Sequence, residues 1–536
     1  MEQKEKIFYN IKDLLNSDLN DLKHLNVQLE DFPFLNNNMI AQLQYCLTEC
    51  AQIQTLILNL KQNGIQIDQI RLLTDNLPEY KNLNNLQLLL SQNDIFEEAG
   101  SILGSFLKKC QQLLKLKIEL SDNYLGFKGL SDIADCIQAI KNIEHLELQF
   151  GNNYIEDQGA QILSKALSCL SNQLSYLAID LQQNQITEEG AHQISEALST
   201  CYNLKSLDLF LDINSIGDKG TSSIATGISK CTELTSLKLD LSENYIKNKG
   251  ATQLGEQISN CKNITNIEII LTQNEIRDQG ISSIAIGLSN CKLIMNLNLR
   301  LQQNKIGQEG ASAIGVAIST LTNLRQLELY LSNNRLGAIG ASNIASGLSK
   351  CTQIKQLSLS LDSNEIKDQG AKAIGEALCN YTNLIQLQLW LKKNEIGTEG
   401  ACALGMNLSK QSNLTELRLF LNQNEIEDEG IFGIAKGLSN CSLIKTLDLA
   451  LSDNKLNSEA YYQLDQCIYG LVNLITLQCD ISDGEKLLKS KDILNCTNIK
   501  VLNMFLKKCQ SENEKIQHKI QALKIKRLVS LFVETD

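Results

Sequence analysis

Few residues in this chain have the type and spacing of a reaction centre. Four histidines, His24, His145, His192 and His518, are scattered, and no acid and nucleophile recur beside them. Neither a Cys–His nor a Ser–His nucleophile pair can therefore be read from the chain. The 17 cysteines contain no Cys-x-x-Cys pair, which removes the commonest zinc spacing. No Gly-x4-Gly-Lys-Ser/Thr run is present, so a phosphate-cradling loop is not expected. Asp and Glu are plentiful, but no carboxylate dyad stands out. The expectation is no catalytic residue, no metal ligand and no cofactor.

What remains is recognition chemistry. An asparagine recurs about every thirty residues, and the residue four before it varies while its surroundings repeat: Glu119, Gln149, Asp180, Phe210, Asp240, Ile270, Arg300, Tyr330, Ser360, Trp390 and Phe420. Large aromatics at positions alternating with leucine suit a sheet face that meets a partner, and Trp390, Phe420 and Tyr330 are the candidate anchors. Six residues before the asparagine stand Glu147, Asp208, Glu268, Glu328 and Arg418, and two before it stands Asp212. Over five repeats Glu147, Asp180, Asp208, Asp212, Asp240 and Glu268 are opposed only by Lys238, an acidic stripe able to steer a basic protein. The protein-binding candidates are thus Trp390, Phe420, Tyr330, Phe210, Arg300, Arg418 and these six acids. A solvated face and packing between neighbouring repeats are the plainer readings of the same residues.

The elements that position these residues follow from the repeat, Leu-x-Leu-x-Leu-x-x-Asn-x-Ile, with its asparagine at Asn63, Asn93, Asn123, Asn153, Asn184, Asn214 and onward to Asn454. Apolar residues at alternate positions, such as Leu357, Leu359 and Leu361, predict a strand with one face inward. Ile374 and Leu378, four apart after Gly370-Ala371, predict a helix. One strand and one helix cannot close a core alone, so the repeats must stack. The asparagines would then form a ladder, each carboxamide serving main-chain groups at the bend. Asp157, Asp218, Asp278, Asp368 and Asp428 suit the start of the helix in which each lies. Cys50, Cys110, Cys201, Cys231, Cys261, Cys291, Cys351 and Cys441 share one repeat position and read as small buried apolar fillers.

This pattern resembles the leucine-rich repeats, and its long helical unit is similar to the ribonuclease-inhibitor subclass shared with Ran GTPase-activating proteins and NOD-like receptor sensor domains. The resemblance spans about Leu22 to Ile481. A third alternating leucine, as at Leu237, Leu297 or Leu387, lengthens the strand pattern relative to the usual unit. It implies an α/β fold: a right-handed solenoid, or horseshoe, of about sixteen strand–helix coils with a parallel inner sheet and outer helices. It also implies a non-enzymatic protein-binding scaffold using the concave face, or alternatively a regulator of a small GTPase similar to the Ran GTPase-activating proteins.

The expected organisation is a helical N-terminal cap at 1–20, a repeat array at 21–485, and a degenerate last coil with a basic C-terminal helix at 486–536. One domain is expected, because Pro is almost absent and no Gly/Ser-rich linker interrupts the period. Net charge is −12; residues 486–536 hold 11 Lys/Arg against 5 Asp/Glu, so the remainder is still more acidic and an unsuitable partner for nucleic acid. The basic helix, centred on Lys515, Lys519, Lys524, Lys526 and Arg527, is expected to cap the array or to contact a partner or membrane surface. The charged start and the lack of an 18-residue apolar run lead one to expect a soluble cytoplasmic protein without a transmembrane segment.

Overall fold

The computed structural model describes residues 6–20, 22–32, 35–481, 498–506 and 528–535. Every regular repeat opens with five extended residues, as in Ser206–Phe210 and Gln386–Trp390. Leu207 and Leu209, like Leu387 and Leu389, are buried, while the residues between them are half-exposed. The last of the three alternating leucines lies just beyond the strand yet stays in the ladder: Leu211 is fully buried and its amide donates to the Asp240 carbonyl at 2.9 Å. Inter-repeat bonding therefore extends past the formal strand end.

At the bend the asparagine ladder forms as expected. Asn184, with no exposed surface, donates through Nδ2 to the carbonyls of Phe150 (2.8 Å) and Gln182 (3.0 Å). Its Oδ1 accepts from the amides of Asn153 (2.9 Å) and Ile155 (3.0 Å). Both lone pairs and both amide protons of one side chain thus serve main-chain groups at the bend, most of them on buried residues.

The aspartate column works across repeats rather than within them. Asp157 Oδ1 accepts from the amides of Thr187 (2.8 Å) and Gly190 (3.0 Å), and Oδ2 from the Thr187 hydroxyl (2.6 Å), so it serves the start of the following helix, Glu188–Leu198. Asp218, Asp278 and Asp368 do the same for the amides of Gly250, Gly310 and Gly400. A side chain on Gly190 would collide with Asp157 Oδ1 and meet Ile186 at 2.8 Å, so a Cβ there would displace the aspartate from the amides it serves.

The cysteine column is buried, as its regularity implies, but it is also a donor. Cys231, Cys351 and Cys441 point Sγ at the carbonyls of Leu198, Ile318 and Leu408 at 3.4, 3.0 and 3.4 Å. At three positions where cysteine is replaced the bond survives: Tyr80 and Tyr381 reach Leu47 and Leu348 through their hydroxyls, and Gln411 reaches Leu378 through Nε2. Ile140, Leu321 and Leu471 fill the column with buried aliphatic side chains instead. Where the column carries a donor, it satisfies a carbonyl left over at the end of the preceding helix.

The chain forms two compact units, Met1–Ile264 with Ile269–Asn274, and Thr265–Glu268 with Glu275–Asp536. In the first, strands from Lys6–Phe8 to Ser236–Asp240 pair in parallel, each with the next. In the second, strands from Asn296–Arg300 to Ser530–Thr535 do likewise. Each regular strand is followed by a helix, so both units have the expected α/β solenoid architecture.

The ends differ from expectation. The N-terminal segment contains a strand, Lys6–Phe8, paired with Leu25–Val27, before its helix Ile11–Leu15, whose Ile11 and Leu14 are buried. At the other end Val501–Leu506 is the anticipated degenerate strand. Ser530–Thr535 is a further strand paired with it, so the basic C-terminal helix expected within 486–536 does not include these residues. The basic residues of that helix, 515–527, lie outside the described residues.

Candidate functional site

In the second unit the strands place Arg300, Tyr330, Ser360, Trp390, Phe420 and Ala450 side by side on the half-exposed sheet face. The Trp390 and Phe420 rings stack at 5.6 Å and 6°. Tyr330 touches Trp390 across the intervening strand, 5.9 Å between centroids at 45°, because the residue between them is only a serine. The Arg300 guanidinium lies 5.1 Å from the Tyr330 ring centre and 3.6 Å from Glu268. Four side chains separated by thirty or sixty residues thus form one continuous cationic and aromatic row. Stacking contributes about 0.5–1.5 kcal/mol per ring pair and leaves the outward faces unmatched. Arg418, one column over, is held by Glu416 at 3.0 Å, and neighbouring Asp448 is pushed up to about 6 by burial, against the pull of Arg418.

In the first unit the acidic column is present but more fully partnered than composition implies. Glu147 pairs with Lys117 at 2.8 Å, and Lys117 also reaches Glu119. Asp208 accepts from the Tyr176 hydroxyl at 2.8 Å, and the Tyr176 ring stacks on His145 at 4.0 Å. Lys238 lies over the Phe210 ring at 5.2 Å. Asp180 and Asp240 end the strands on either side of Phe210, and Asp212 lies two residues past the end of the strand between them. Burial, with Asp122, Glu119 and Asp240 adding repulsion, pushes Asp180 up to about 6. Burial and then Asp240 push Asp212 up to about 7. Both carboxyls therefore take up a proton more readily than an ordinary surface carboxylate, Asp212 the more so.

Reading the sequence as columns missed these partners. Lys117 lies one repeat before the five acidic repeats, and Tyr176 lies eight residues before its asparagine, outside the three columns considered. Among the described residues no group of His, Cys, Asp and Glu has the geometry of a metal site, and no helix is long and apolar enough to cross a membrane.

A sequence model described as Leucine Rich repeat matches residues 295–315, 357–375 and 410–435. Among solved structures the chain is similar to an internalin from Listeria monocytogenes, at 21% identity and a TM-score of 0.46, over 76% of this chain and 88% of that one. It is also similar to a structure of the Rad7 and Elc1 complex in yeast, at 16% identity and a TM-score of 0.38, over 80% of this chain and 86% of that one. No curated protein matches the chain.

Proposed function

This is a leucine-rich-repeat protein, and from that premise we propose that it is a non-enzymatic scaffold that holds a protein partner on the open face of its sheet. The observation that carries the reading is the row Arg300–Tyr330–Trp390–Phe420 in the second unit. Trp, Tyr and Arg are the residues most often found at the energetic centre of interfaces, and here they adjoin one another on a surface with no stacking duty. The carboxylates Glu147, Asp180, Asp208, Asp212 and Asp240 of the first unit, and Glu268 of the second, add an acidic character that favours a basic partner.

Leu389 lies between Leu387 and Leu391 in the core, whereas Trp390 faces out. Trp390→Ala is expected to leave the melting temperature nearly unchanged and to weaken the partner, captured from the native source, by about 2 kcal/mol or more. A melting curve and a pull-down on the same variant protein check this. Loss of stability with the partner retained would show that the row only packs. A small-GTPase regulator, the alternative implied by the resemblance, makes a separate prediction: the full chain would accelerate GTP hydrolysis by its GTPase.

A further inference from the structure

Beyond the strands, the bend side of the first unit carries a second surface. The rings of Phe96, Tyr124 and Tyr154, on three successive repeats, stack within 13° of parallel at 5.1 and 6.4 Å, and each is about half exposed. Next to Tyr154 opens a groove of about 770 Å³ that reaches Tyr245, itself 67% exposed. Between the two tyrosines the lining is polar and almost uncharged. Gln183, Gln185 and Gln273 make no side-chain hydrogen bond to any described residue, and Glu243 is the sole ionisable acid.

Between the two tyrosines, on the repeat before that of Tyr245, stands Ile213, 44% exposed, with φ at +55°. Other repeats carry Gln, Asn, Asp, Glu, Ser or Lys at this left-handed position, as at Gln183, Asn152, Asp122, Glu243, Ser363 and Lys393. A β-branched side chain is strained there, and exposing it gains nothing in the free protein. Strain of that kind, facing an open groove, marks a contact surface.

We propose that this groove binds an extended peptide. Tyr154 and Tyr245 are three repeats apart, roughly 14 Å at about 4.8 Å per strand, and residues i and i+4 of an extended chain are also about 14 Å apart on one side. One large apolar side chain packs on Tyr154, the one four residues on packs on Tyr245, and Ile213, two repeats from Tyr154 and one from Tyr245, flanks the stretch between them. A lysine or arginine side chain reaches Glu243. The bend amides of Gln183, Ile213 and Glu243 are already bonded to the next repeat, at 2.9, 3.0 and 3.0 Å. The peptide backbone is therefore met by the glutamine carboxamides, which both donate and accept, and not by strand addition. Phe96 and Tyr124 brace Tyr154, so little side-chain freedom is lost on binding. A neutral oligosaccharide would also use the rings and carboxamides, but its hydroxyls meet Glu243 without the opposing full charge that a Lys or Arg side chain brings.

The test is to pan a random heptapeptide phage library on the full chain and to measure a selected, fluorescently labelled peptide by polarisation. Enriched sequences should carry large apolar residues four positions apart with a nearby Lys or Arg. Tyr154→Ala and Tyr245→Ala should each weaken the peptide about tenfold or more, while Trp390→Ala in the second unit leaves it unchanged. Ile213→Asn should raise the melting temperature and weaken the peptide. Failure to enrich any sequence, binding indifferent to both tyrosines, or binding of chitohexaose in place of peptides would overturn the proposal. None of these results bears on the sheet-face row, which Trp390→Ala tests against its own partner.

Discussion

Asn184→Ala removes four hydrogen bonds at once from a site with no exposed surface. The alanine leaves the amides of Asn153 and Ile155 and the carbonyl of Phe150 facing a small gap, and these residues are buried. A buried polar group left unpaired costs about 1–3 kcal/mol. Two amides and one carbonyl, the carbonyl being the easier to re-satisfy, give roughly 3–5 kcal/mol. Because repeat arrays lose cooperativity, the loss should be local before it is global. Hydrogen exchange should therefore accelerate first at Asn153 and Ile155, alongside a lower urea midpoint. Asn184→Asp separates donor from acceptor roles: the carboxylate can accept from both amides but faces the Phe150 and Gln182 carbonyls without a proton to give. It should be destabilised at neutral pH and recover as pH falls, because the protonated form restores one donor. A change below about 0.5 kcal/mol in the alanine variant, within the range of ordinary surface substitutions, would refute the ladder as a source of stability.

Two further predictions concern titration and reactivity. Asp180 and Asp212 are raised to about 6 and about 7 in the folded chain, so their contribution to stability is fully present below the ordinary carboxylate value and is lost as pH rises through those figures. A basic partner favours the ionised forms and reverses the sign: its affinity should rise from acid to mildly alkaline pH while the melting temperature falls, and Asp180→Asn with Asp212→Asn should flatten both profiles. The column thiols Cys50, Cys110 and Cys231 are pushed up to about 12 by burial, so in native protein they should resist alkylation at pH 8. Exposed Cys169 and Cys379 should label readily, and mass spectrometry after denaturation would reveal any column thiol that had reacted.

The fold was legible because stacking imposes one requirement on every repeat: alternating leucines, an asparagine at the bend and an apolar helix face recur wherever a coil must meet its neighbours. The orientation of the aspartate column was not legible. Asp157 lies in the first turn of its own helix, which invites a local reading, yet its bonds run to Thr187 and Gly190 thirty residues on. The last strand was misread for a related reason. Leu528 and Phe532 are four apart and suit a helix, but Leu531 and Val533 alternate equally well and pair with Leu502 and Met504. Short apolar runs do not distinguish the two periods. On the sheet face the aromatic row was visible as a column, but its closure into one surface depends on Ser360 being small enough for Tyr330 to reach Trp390.

Each column of such an array is its own control, and departures from it sort by what they do to the column's bond. Tyr80, Tyr381 and Gln411 break the cysteine pattern but keep its hydrogen bond to the preceding helix, so they belong to the scaffold. Trp390 and Phe420 occupy a column with no shared bond to keep, where side-chain choice is free of stacking. Ile213 is different again, since it gives up the small or polar side chain that its backbone favours and receives no buried contact in return. Thermodynamic selection for the fold alone would remove it, so its presence weighs more heavily for function than an exposed tyrosine does. The expected gain in stability of Ile213→Asn is therefore the sharper measurement: if the variant melts no higher than the parent, the left-handed bend tolerates isoleucine without strain, and the groove loses the feature that distinguishes it from ordinary surface.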